Sequence, residues 1–171
     1  MKILILMDNP ACPTGYASTC RLTSSHLARK GHEIYAMAFN FGSPGPKDGI
    51  TEWYGIKVVP NYALERDPNA IYGDAETILR VEKEIGPDIY FLHNDTYRFK
   101  YFLDLPEQIR KKCVYWLPIE LKDQVDADGV PLLNACAATR IVTKMAFSAH
   151  QKVLTGNAGY LPHAVDLDCF V

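Results

Sequence analysis

Lys2-Ile3-Leu4-Ile5-Leu6-Met7, followed at once by Asp8-Asn9-Pro10, is the stretch that decides the fold. Its apolar residues run without polar alternation, as in a strand buried on both faces, and a parallel sheet covered by helices is where such strands occur. Asp8-Asn9-Pro10 ends the run in a loop. Beyond it, Ala17, Cys20, Thr23, Leu27 and Ala28 recur at three- and four-residue steps and Gly31 supplies a stop, which predicts a helix over Tyr16–Lys30. His32–Phe39 then reads as a second strand. Strand, helix and strand together make a crossover of ordinary length.

The same alternation continues. Asn40–Gly49 is a Gly- and Pro-rich loop, Trp53–Val59 a β-rich strand, and Asn61–Gly73 has no clear period. Ala75, Ile78, Leu79, Val81 and Ile85 predict a helix over Asp74–Ile85, closed by Gly86-Pro87. Strands follow at Asp88–Leu92, Cys113–Leu117, Arg140–Thr143 and Gly159–Leu161. Helices are expected at Pro106–Lys112, with an earlier turn near Tyr97–Leu103, and at Val130–Ala138 and Ala146–Leu154. No repeat or linker interrupts the order, so residues 1–171 read as one Rossmann-like domain, α/β with a doubly wound parallel sheet.

Bulk properties narrow the function. Eighteen Lys and Arg stand against twenty Asp and Glu, a formal charge of −2, so no basic excess suits the chain to general nucleic-acid binding. The Ile3–Met7 run is too short to span a bilayer and no cleavable-signal layout surrounds it, and the expected location is cytoplasmic. Five cysteines, Cys12, Cys20, Cys113, Cys136 and Cys169, are odd in number and scattered, without Cys-x-x-Cys spacing. They read as free thiols, with Cys113 and Cys136 in the core, and not as metal ligands.

Open α/β sheets bind ligands outside the carboxyl ends of their strands, so the loops after Met7, Leu92, Leu117 and Thr143 carry the candidates. Thr14-Gly15-Tyr16 opens a helix whose free amides and dipole favour an anion such as a diphosphate, although Thr-Gly is also an ordinary helix cap. His93 follows its strand directly, with Asn94 and Asp95 behind it. A strand-end imidazole can bind a sugar hydroxyl or move a proton, or be satisfied by a neighbouring loop. Glu120 is a second placed titratable group or a surface carboxylate. Asp123, Asp126 and Asp128 do not fit a calcium loop and read as a solvated turn. Trp53, Tyr54, Tyr62 and Tyr72 offer either a sugar-stacking platform or packing over a loop. Gly-x-Gly-x-x-Gly, P-loop and Gly-x-Ser-x-Gly patterns are missing, which argues against nicotinamide, flavin, nucleoside triphosphate and α/β-hydrolase chemistry.

Three segments in the right order resemble the N-terminal domain of retaining GT-B glycosyltransferases. Pro13-Thr14-Gly15-Tyr16 with Leu27-Ala28-Arg29-Lys30-Gly31-His32-Glu33-Ile34 is similar to the family's glycine loop, first helix and Leu-x-x-x-Gly-His-Glu-Val start of the second strand. Gly86-Pro87-Asp88-Ile89-Tyr90-Phe91-Leu92-His93 is similar to its Pro-Asp-Val strand ending in His. Thr143-Lys144-Met145-Ala146-Phe147-Ser148 and Pro162-His163-Ala164-Val165-Asp166 stand where the family has a Thr-x-Ser helix start and the Pro-His-Gly-Val-Asp segment that crosses to its second domain. The loop lacks the family's second glycine, and Ala164 replaces a Gly.

The resemblance implies transfer of a sugar from a nucleotide-sugar donor, a substrate and not a cofactor, with retention at the anomeric carbon and no obligatory metal. It makes His93 the catalytic residue that orients the donor sugar and sets Gly15 at the donor phosphates. Thr14, Tyr16, Asn94 and Glu120 complete the phosphate- and acceptor-binding set. The chain then corresponds to the acceptor-side half, with the C-terminal donor-binding domain expected as a partner or its place taken by self-association. A non-catalytic Rossmann-like binding module is the alternative, and a hydrolase using His93 and Glu120 a weaker one.

Overall fold

The computed structural model describes residues 1–40, 49–118 and 129–162. Eight strands form one sheet: β1 (Lys2–Leu6), β2 (Glu33–Met37), β3 (Thr51–Trp53), β4 (Ile56–Val59), β5 (Ile89–Leu92), β6 (Cys113–Leu117), β7 (Ala138–Ile141) and β8 (Ala158–Tyr160). Their order is β3-β4-β2-β1-β5-β6-β7-β8. Every neighbouring pair is parallel except β3 with β4.

The unalternating run of β1 has its expected cause. Leu4 and Leu6 enter one core with Met37, Val59, Tyr90, Leu92 and Tyr115, while Ile3, Ile5 and Met7 enter a second with Ile34, Ala36 and Ile56. Helix α1 (Gly15–Arg29) covers the second face through Cys20 and Leu27. The first face is covered by α2 (Ala75–Glu84), α3 (Glu107–Arg110), α4 (Gly129–Ala135) and α5 (Lys144–His150), through Ile78, Val81, Ile109, Leu132, Leu133 and Ala146. The sheet is thus wound on both sides, with β1 at its centre.

Local chemistry explains the element ends. Thr14, Asp74 and Thr143 cap α1, α2 and α5 by accepting from the amides of Ala17, Thr77 and Ala146. At the start of β5, the Asp88 carboxylate accepts from the Lys2 amide at 2.8 Å and the Lys2 ammonium donates to Ile85 O, which sets the register of β1 against β5.

Some elements differ from the sequence reading. Trp53–Val59 is not one strand but the hairpin β3–β4, turning at Tyr54 (φ 46°) and Gly55 (φ 79°), the paired positive values of a tight two-residue turn. Asn61–Gly73 contains a 3-10 turn at Tyr62–Glu65, capped by Asn61. Thr96–Asp104 is a longer 3-10 segment kinked at Phe99, which buries Phe99 and Phe102. Strand β7 begins at Ala138 rather than Arg140, because α4 ends earlier, at Ala135.

Candidate functional site

Sequence-adjacent strands leave β1 in opposite directions: β2 lies on one side of it and β5, reached by a long crossover, on the other. This is the switch point of the sheet, above the carboxyl ends of β1 and β5, the place where open α/β sheets hold ligands in a crevice. Asp8-Asn9 follows β1 there and His93-Asn94-Asp95 follows β5, with the amino end of α1 alongside.

A residue that the sequence reading passed over ties these loops together. Asp8 is 2% exposed, and its carboxylate accepts from Thr14 Oγ1 (2.7 Å), Asn40 Nδ2 (2.8 Å), Tyr72 OH (3.2 Å) and Asn94 Nδ2 (3.4 Å). A carboxylate has about four lone-pair positions, so these donors saturate it and offset its desolvation. The donors come from four separate places: the cap of α1, the end of β2, the loop before α2 and the end of β5. In the sequence Asp8 reads only as a polar loop residue; the proximity of its partners is a product of sheet order.

Thr14 therefore works twice, accepting from Ala17 N and donating to Asp8. Gly15 is exposed, and a β-carbon added there would meet nothing within 4 Å among the described residues, which leave the approach to the first α1 amides open. Its φ is not positive, and a second glycine is not needed for the turn. Tyr16 is half-buried and packs edge-on to the His93 ring, centroids 5.4 Å apart. Burial first, then the neighbouring Asp95 carboxylate, push its phenol up to about 12.

His93 is 1% exposed, stacked on Trp116 with centroids 4.5 Å apart, and its Nδ1 lies against the Trp116 carbonyl. A carbonyl can only accept, so the contact assigns a proton to Nδ1. Trp116 is fixed in turn by donating Nε1–H to Leu161 O at 3.0 Å. Asn94 is fully buried between Asp8 and the Asp95 amide, and its carbonyl accepts from Tyr115 OH.

Of the residues singled out from the sequence, Thr14, Gly15, Tyr16, His93 and Asn94 therefore lie around one crevice. Glu120, the Asp123–Asp128 loop and the His163–Phe170 segment lie outside the described residues. The four aromatics do not form a platform. Tyr72 reaches the crevice, but Tyr62 lies beneath Arg80 and donates to Glu84, Trp53 packs beside α1, and Tyr54 is at the amino end of β4, away from the site. Among the described residues no group of three His, Cys, Asp or Glu side chains is arranged to hold a metal, and no helix is long and apolar enough to cross a membrane. Against known families and curated proteins, the sequence matches no family model and no curated protein.

Proposed function

We propose that this chain is the acceptor-side domain of a retaining glycosyltransferase, which moves a sugar from a nucleotide-sugar donor to an acceptor hydroxyl in company with a donor-binding domain. The observation that carries the reading is the convergence of Thr14-Gly15-Tyr16 with His93-Asn94 at the switch point, because Thr14-Gly15-Tyr16 and His93 belong to two of the three segments that carry the sequence resemblance. In this reading the open face at Gly15 and the first amides of α1 receive the donor diphosphate. His93 orients the donor sugar. Its burial requires that a covering ring, such as that of Tyr16, moves before a sugar touches it.

That burial also favours a second reading, in which His93 is a packing residue of a non-catalytic Rossmann-like binding module. Combining the chain with a donor-side domain and supplying UDP-glucose or GDP-mannose with a panel of acceptors separates the two. The glycosyltransferase reading expects little turnover from the chain alone, a clear gain on combination, and a product whose anomeric proton shows retained configuration by NMR. Vigorous transfer by the chain alone, or an inverted product, overturns the half-enzyme assignment. No transfer in any pairing, with the fold intact by circular dichroism, favours the binding module.

A further inference from the structure

The segment just past the crevice, Asp95-Thr96-Tyr97-Arg98, holds polar groups that the fold leaves largely unused. Arg98 is immobilised: its guanidinium lies 4.0 Å from the Tyr72 ring centroid and 5.0 Å from that of Tyr97, and its Nε donates to Asp95 Oδ2 at 3.4 Å. Both of its terminal nitrogens are without a protein hydrogen bond among the described residues, and its side chain is 25% exposed. Asp95 occupies the N-cap position of the 3-10 segment, yet its carboxylate does not cap it. It is 43% exposed and engaged only by the long contact to Arg98 among the described residues. Tyr97 is 56% exposed, and Tyr16 faces the same space.

We propose that Asp95, Tyr97 and Arg98, with Tyr16, form a subsite for an uncharged polyhydroxylated ligand, a neutral saccharide, in preference to a phosphorylated or carboxylated one. Naming this ligand the acceptor rests on the glycosyltransferase reading; the subsite itself rests on the side chains. A carboxylate accepts from one sugar hydroxyl, a guanidinium fork donates to the next, and an exposed phenol ring takes the C–H face of a pyranose. An arginine alone would suit an anion as well, and the surrounding charge decides between them. The Asp95 carboxylate lies 3.4 Å from Arg98 Nε and balances its charge. Arg21, the cation of the adjoining loop, is engaged by the carbonyls of Pro10 and Cys12 and by Ser18. An entering phosphate would therefore meet a guanidinium already balanced by the Asp95 carboxylate and another held by its own loop, whereas a hydroxyl uses both signs of the Asp95–Arg98 pair.

The test is an NMR titration of the whole chain with methyl glycosides of glucose, mannose and galactose and with the matching hexose phosphates. Amide shifts centred on residues 16 and 95–98 are expected, with the best glycoside bound about tenfold or more tighter than its phosphate. Asp95→Ala and Tyr97→Ala, both at exposed positions, should each weaken that glycoside about tenfold while the melting temperature stays near wild type. Tighter binding of the phosphate, shifts centred elsewhere, undiminished affinity in both variants, or no glycoside binding up to about 100 mM overturns the proposal. The two proposals fail separately. Neutral glycoside binding without transfer in any pairing sinks the enzyme reading and keeps the subsite, and transfer only to a phosphorylated acceptor does the reverse.

Discussion

Asp8 and His93 both stand just past the ends of neighbouring strands, and each is buried, yet their environments ask different things of them. Asp8 is saturated by donors, which makes it a fastener between loops. His93 pairs through Nδ1 with the Trp116 carbonyl and fills the space between two aromatic rings. His93→Ala should therefore cost stability as well as any activity, by about 2–4 kcal/mol, because it removes a bond to a buried carbonyl and opens a cavity beside Trp116. Denaturant unfolding of the variant checks this. A variant as stable as wild type would show that the ring is not an integral part of the packing, and unchanged transfer per folded molecule would remove His93 from the chemistry.

At the scale of the element, α2 shows how a cap, an ion pair and pH are linked. Asp74 accepts from Thr77 N at 2.8 Å and from Arg66 Nη2 through both carboxylate oxygens. Its partial burial pulls its pKa upward, but the bonds from Arg66 and Thr77 outweigh burial and hold the carboxyl below its ordinary value. A depressed folded-state pKa means that the contribution is complete above the ordinary carboxylate range and is lost as pH falls through the lower folded value. Asp74→Ala should cost about 0.5–2 kcal/mol at neutral pH. The gap between wild type and variant should then close below about pH 4, a trend that Tm measurements across pH can follow. A gap of constant size down to about pH 2 would assign the effect to helix propensity instead.

Across the whole molecule, four of the cysteines report on whether the sheet is sealed on both faces. Cys20 is fully enclosed and burial pushes its thiol up to about 12; Cys12 is raised by burial and by Asp8. Cys113 and Cys136 lie in the other core, where the neighbouring Cys136 first, then burial, push the Cys113 thiol up. Because the thiolate is the reactive form, iodoacetamide should leave all four unmodified in native protein and label them together at the unfolding transition, as peptide mass spectrometry can show. Labelling of Cys113 or Cys136 at the rate of a free thiol, without denaturant, would mean that the large core opens on its own.

The alternation of strands and helices, the burial of β1 as a parallel strand and the cap at Thr14 were legible in the residues, because local periodicity and capping chemistry act within a few positions along the chain. The β3–β4 hairpin was not, since Tyr54-Gly55 lacks the Asn-Gly or Asp-Gly signature that usually marks such a turn. Part of the site could also be read directly: Thr14-Gly15-Tyr16 and His93-Asn94 stand at ends of predicted elements, and strand ends are where such sheets bind. What only the tertiary structure decided is how those ends meet. Asp8 lies 32 positions from Asn40, 64 from Tyr72 and 86 from Asn94, and its contacts with them exist because β1 is hydrogen-bonded between β2 and β5. The burial of His93 beneath Trp116, 23 positions away, follows from the pairing of β5 with β6. Sequence determines which side chains stand at strand ends, through forces that act over a few residues; strand order determines which of those ends become neighbours.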